Sequence, residues 1–293
     1  MTTLVTIASE KLTAAINPLG AELWSLTGPD GAEWMTDADP AFWTGHAPVL
    51  FPIVGALSGG RYRLDGREYA LPKHGFARTS TFAVTEQAQD RATFRLADDA
   101  ATRSVYPFAF TLDIAFRLAG DLLAMTATVT NRGDAPMPFS FGFHPAFAWP
   151  LPGGADKASH RIEFAAPEPA GIRRLDPASG LMLAERFASP VEGRVLAPDA
   201  ALFEADALMW DRLASRSLRF GADGGGSLEI AFPDTPMLGI WQKPGAGYLC
   251  IEPWQGIADP VGFAGDFRGK PGVAELAPSA ARAFRMDVRV IPG

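Results

Sequence analysis

The chain has 293 residues, 47% of them hydrophobic and 20% charged, an ordinary balance for a globular protein with a large buried core. A formal net charge of -7 with no basic run argues against nucleic acid and anionic membrane surfaces as partners and suits a neutral or polar small ligand. A single cysteine, Cys250, excludes an intrachain disulfide framework and any Cys-rich metal site, while 30 Gly and 25 Pro imply many turns.

The first eleven residues lack the basic start and apolar stretch of a signal peptide, and no later segment approaches the ~20 apolar residues that span a bilayer, so a cytoplasmic location is expected. Residues 16–23 read as a strand, a turn and a second strand. Trp34, Phe42 and Trp43 fall in a loop rich in Asp and Pro, and residues 47–55 form a short apolar run bounded by breakers. Alternating segments at 61–64 and 67–71 are joined by Asp65-Gly66, a hairpin signal. The hairpin delivers the chain to a dense polar cluster, Lys73-His74-Gly75-Phe76-Ala77-Arg78.

From Phe108 the pattern is strongly β. Phe108, Phe110, Leu112, Ile114, Phe116 and Leu118 share one face at a period of two, and Met125, Ala127 and Val129 continue it after Gly120-Asp121. A turn at 131–134 then leads into a third segment, so an antiparallel meander is expected. In that segment Phe139, Phe141 and Phe143 point one way, and Ser140, Gly142 and His144 the other. The small residues leave open space beside His144, and Pro145 stops regular pairing, which presents the imidazole at the lip of a cleft. A core histidine with one hydrogen bond would show the same local pattern.

Residues 151–160 read as a loop, 217–220 and 227–232 as strands around a Gly-rich turn, and 284–290 as a final alternating strand. Helical spacing is sustained almost nowhere. The expected fold is all-β: one domain, residues 1–293, built as a large antiparallel β-sandwich with short helical turns near 40–43 and 259–263.

A third polar cluster surrounds Glu252, which interrupts an apolar strand next to Pro253, Trp254 and Gln255. Burial at a strand end would raise its pKa and make it a better proton acceptor near neutrality, although a glutamate paired with an arginine fits the same motif. Two histidines, a glutamate, Arg78 and Trp254 as first aromatic wall are the parts of a sugar pocket. Trp43 and Trp241 read as core, His46 and His160 as structural or exposed, and Cys250 as a buried thiol. Metal ligation by His74, His144 and Glu252 lacks a short-spaced ligand pair, so no metal is expected. The glycines at 224–226 lack the ending of a phosphate loop, and no second acid is marked as a glycosidase would require.

The segments Asn17-Pro18-Leu19-Gly20-Ala21-Glu22-Leu23, Pro48-Val49-Leu50-Phe51-Pro52-Ile53-Val54-Gly55, His74-Gly75-Phe76-Ala77-Arg78, Gly142-Phe143-His144-Pro145-Ala146-Phe147 and Ile251-Glu252-Pro253-Trp254 occur in an order specific in combination. In them the chain resembles the aldose 1-epimerase (galactose mutarotase) family, especially its LacX-like bacterial branch, over nearly its whole length. The resemblance implies a supersandwich fold with no cofactor and an isomerase that interconverts the α and β anomers of a free aldohexose such as glucose or galactose. It also implies the roles. Glu252 matches the general base and His144 the general acid, which requires a protonated resting imidazole. His74 matches a second histidine near the ring oxygen, and Asp206 a hydroxyl-binding carboxylate, with Glu204 and Asp211 near enough in sequence to exchange roles with it.

Where the family usually carries an arginine, this chain has Ala56; Arg78 or Arg61 would supply the charge. Two alternatives accompany this reading. One is a hexose-6-phosphate 1-epimerase, which needs two converging cations where the sequence secures only Arg78. The other is a non-catalytic sugar-binding or regulatory protein. The partner expected in either case is a small sugar, with neither nucleic acid nor membrane, and the protein is a monomer or homodimer in carbohydrate metabolism.

Overall fold

The alternating run after Phe108 becomes the middle of the larger sheet in the computed structural model, which describes residues 3–293. Strand Phe110–Ala119 pairs antiparallel with Leu122–Asn131 on one side and Arg91–Ala97 on the other. Its even-numbered apolar residues are all buried, as the period of two predicts. Leu122–Asn131 is followed across the sheet by the C-terminal strand Ala281–Ile291, then by the hairpin Ser217–Gly221 and Ser227–Ala231. With Ala83–Gln87 at one edge and Arg161–Phe164 and Val195–Leu196 at the other, nine strands form this sheet.

The second sheet has six strands, ordered Leu208–Trp210, Met237–Trp241, Tyr248–Gln255, Phe141–Phe143 and Val49–Leu50, with Ala146–Ala148 also pairing to Tyr248–Gln255. The two sheets enclose one apolar core. Across it the ring centroids of Phe51 and Phe110, and of Phe141 and Phe284, each stand 5.1 Å apart. The molecule is therefore an all-β sandwich, as expected.

The hairpin at Asp65-Gly66 and the paired strands Thr13–Asn17 and Glu22–Thr27 also match the sequence reading. Three local expectations do not hold. The segment after residue 134 leaves the larger sheet: Met137–Phe139 pairs with Ala274–Leu276, and Phe141–Phe143 joins the six-stranded sheet, so the third meander strand is a crossover. Residues 40–43 and 259–263 make hydrogen-bonded turns without helix. The α-helix among the described residues is instead Ala100–Val105, started by a reciprocal capping box between Asp99 and Thr102. Among the described residues no helix is long and apolar enough to cross a membrane.

Candidate active site

Strand alternation builds the site. Along Tyr248–Gln255, Leu249 and Ile251 enter the core between the sheets, while Cys250, Glu252 and Trp254 point to the other face. Phe141 and Phe143 likewise enter the core, and Gly142 lies on the face shared with Trp254. Glu252 thus stands in the middle of a strand, opposite Gly239, and not at a strand end. The space beside Gly142 is not open either. A β-carbon there would lie 2.5 Å from the Trp254 indole, and one at Gly239 would lie 2.4 Å from its far edge. The two glycines therefore seat the indole flat against the sheet beside Glu252.

His144, just past the end of Phe141–Phe143, brings Nε2 to 3.1 Å from Glu252 Oε2. His74 comes from the Lys73–Arg78 turn, with its ring edge-on to His144 at 5.8 Å between centroids. The backbone N–H of Gly55 donates to His74 Nδ1 at 3.1 Å, which makes Nδ1 the acceptor and leaves the ring proton on Nε2 in the neutral form. His74 and Asp206 both hold positive φ, 70° and 65°, a conformation that costs a side-chain-bearing residue on the order of 1 kcal/mol or more. Asp206 sits on a loop that Arg174 gathers by donating to the carbonyls of Leu202 and Asp206.

These residues line one cleft of about 740 Å³, counting the solvent at its mouth. All six sequence candidates, His74, Arg78, His144, Asp206, Glu252 and Trp254, lie in its wall. Asp211 is occupied by Arg173 and Arg186, and Glu204 points to solvent outside the cleft, so neither stands in for Asp206. Arg61 lines a different cavity, so of the two arginines that could supply the charge missing at Ala56 only Arg78 lines the cleft.

Trp43 and Trp241 belong to the cleft rather than to the core, Trp43 lying 5.0 Å from His144 between centroids. Lys73 also lines the cleft. The sequence pattern does not mark it, although its place directly before His74 is the signal that could have. His46, stacked on Trp24, and His160, which accepts from the Leu151 N–H, are structural.

Burial dominates the electrostatics. It holds the Glu252 carboxyl well above the usual carboxylate range; Lys73 and the Trp254 N–H, which falls short of hydrogen-bond geometry, oppose the shift, and Asp206 adds to it. It pushes His144 down to about 3, with Lys73 and Arg78 adding to the fall. His74 is driven well below its usual value by burial, then by His144 and the same two cations. The sequence reading expects the neighbouring carboxylate to keep His144 protonated at rest; burial works against that, favouring a neutral imidazole beside a protonated Glu252.

Among the described residues the donor atoms that could together hold a metal ion belong to His144, Cys250 and Glu252, within 4.8 Å of one another, with Cys250 in the place the sequence reading gave His74. Cys250 is buried, and burial followed by the Glu252 charge raises its pKa well above that of a free thiol.

The family model described as aldose 1-epimerase matches residues 3–176. The LacX protein of Lactococcus lactis subsp. lactis is 30% identical over 98% of this chain and 99% of its own length. Among solved structures, the galactose mutarotase related enzyme from Lactobacillus acidophilus superposes with a TM-score of 0.91 at 32% identity, covering 99% of this chain and 97% of that one. A galactose mutarotase-like protein from Lactobacillus casei gives 0.89 at 28% identity, covering 99% of this chain and 100% of its own. Sandwich, polar cleft and relatives agree: this chain belongs to the aldose 1-epimerase family.

Proposed function

We propose that this protein is a cytoplasmic, cofactor-independent aldose 1-epimerase that acts as one domain over residues 1–293 and interconverts the anomers of an aldohexose. The observation that carries the reading is the side-by-side placement of His144 and Glu252 in the cleft wall, 3.1 Å apart. The anomeric hydroxyl and the ring oxygen of a pyranose are bonded to the same carbon. A base for one and an acid for the other must therefore stand next to each other.

The carboxylate of Glu252 takes the anomeric hydroxyl proton, the carbonyl forms as the bond from carbon 1 to the ring oxygen breaks, and His144 gives its proton to that oxygen. Rotation about the bond between carbons 1 and 2 presents the other carbonyl face. Reclosure returns both protons by the reverse transfers. Before ring opening the shared proton passes from Glu252 to His144, and the sugar hydroxyl donating to Glu252 favours that move. His74, through Nε2–H, and Asp206 bind the sugar, and Trp43, Trp241 and Trp254 cover its C–H faces.

The test is anomer exchange followed by saturation-transfer NMR with glucose and galactose. Acceleration supports the reading; its absence with every sugar tried would leave a binding protein.

A second reading is favoured by Lys73. With Arg78 it gives the cleft two cations, and neither forms an ion pair among the described residues. That is the pair a phosphorylated hexose requires. Both act on His144, the group assigned to the ring oxygen, and the carbon bearing the 6-substituent is attached next to that oxygen.

A further inference from the structure

Behind the cleft wall lies a buried ion pair that the catalytic reading does not use. Lys270 Nζ stands 2.9 Å from Asp259 Oδ1, with the two side chains 0% and 4% exposed. Burial lowers the lysine pKa and Asp259 opposes the fall. The other oxygen of Asp259 accepts from the Ser58 N–H at 2.9 Å, and the Asp259 N–H donates to the Ala56 carbonyl at 2.9 Å. Residue 258 presses on the same turn: a β-carbon at Gly55 would lie 2.5 Å from that of Ala258.

The Gly55–Ser58 turn is therefore gripped from one side by residues 258–259. On its other side Gly55 holds His74 at two points, donating to Nδ1 at 3.1 Å and accepting from the His74 N–H at 2.9 Å. We infer that Asp259 and Lys270 are positioning residues for His74: their ion pair fixes the turn that selects the imidazole's tautomer and aims Nε2–H into the cleft. A salt bridge with only a structural role would be replaceable by an uncharged pair without consequence for His74.

The test uses full-length protein with nitrogen-15-labelled histidine, His74 being assigned by the signals lost in His74→Asn. In the wild type, its two ring nitrogens should show the wide shift separation of a single tautomer. The double variant Asp259→Asn, Lys270→Met removes both charges together and retains an acceptor for the Ser58 N–H. It should keep the thermal midpoint near that of the wild type, shrink the His74 separation by half or more, and lower kcat/KM on the order of 10-fold or more. Should it fail to fold, Asp259→Asn alone is read the same way.

Unchanged His74 signals in a folded variant overturn the inference, whether activity falls or not. Altered signals support it. The activity measurement rests on the proposed epimerase reaction but the NMR measurement does not, so a wild type without mutarotation yet with a charge-dependent His74 tautomer would sink the former alone.

Discussion

His144 Nε2 meets Glu252 Oε2 at 3.1 Å, although the two residues are remote in sequence and come from adjacent stretches of the same sheet. A base and an acid in contact can exchange the proton that each needs at a different stage. Glu252→Gln and His144→Asn should therefore each lower the acceleration of mutarotation by ~10²–10⁴-fold with the fold retained. Saturation-transfer NMR reads the rate and near-ultraviolet circular dichroism the packing. Full activity in either variant would remove that residue from the chemistry.

The same contact predicts an unusual stability profile. The raised pKa of Glu252 contributes stability below 4.5 that is lost as pH rises toward its folded value; the depressed pKa of His144 contributes stability above 6.5 that is lost as pH falls toward about 3. Above pH 4.5 the raised Glu252 pKa makes stability fall with rising pH, and below pH 6.5 the depressed His144 pKa makes it rise, so in the window between them the two dependences oppose each other. His144→Asn exposes the Glu252 term, and stability should then fall with rising pH in that window. Glu252→Gln exposes the His144 term, and stability should rise, each slope differing from the wild type by up to about 1.4 kcal/mol per pH unit. Urea unfolding across the window checks this; slopes of the same sign in both variants would refute it.

Local alternation was enough to read the sandwich class and to put Phe141 and Phe143 on the face opposite Gly142, because a period of two assigns faces without knowledge of neighbours. It does not say which sheet a strand joins. The segment after residue 134 follows a meander turn in sequence but finds its partners at Tyr248–Gln255 and Ala274–Leu276, a choice made by long-range pairing. The same limit explains Trp43 and Trp241, whose aromatic character fits core and cleft equally, and Lys73, whose role depends on what stands across the cleft. The helix Ala100–Val105 is a single capped excursion too short for its spacing to register.

Lys73 and Arg78 yield a prediction about charge on the substrate. If the second reading holds, kcat/KM for a hexose 6-phosphate should exceed that for the free hexose by 10-fold or more, with the excess shrinking as salt rises. Lys73→Met should bring the ratio of the two toward unity, whatever it does to both rates through the nearby acid-base pair. A free hexose preferred by the wild type would rule out the phosphorylated substrate and leave the first reading intact.

Trp254 tests whether the cleft wall is tuned by the glycines beneath it. In Gly239→Ala the new methyl carbon would lie 2.4 Å from the indole, closer than any stable contact, so the ring must tilt away from the sheet. Overpacking of this kind costs about 1–3 kcal/mol. Since Trp254 flanks Glu252 on the same strand face, kcat/KM should fall as well. Replacing the indole removes the clash: Gly239→Ala introduced into Trp254→Ala should cost markedly less than in the wild type, a coupling that urea unfolding of the four proteins measures directly. If the two substitutions prove additive within error, the indole does not rest on Gly239 and the wall described beside Glu252 is wrong.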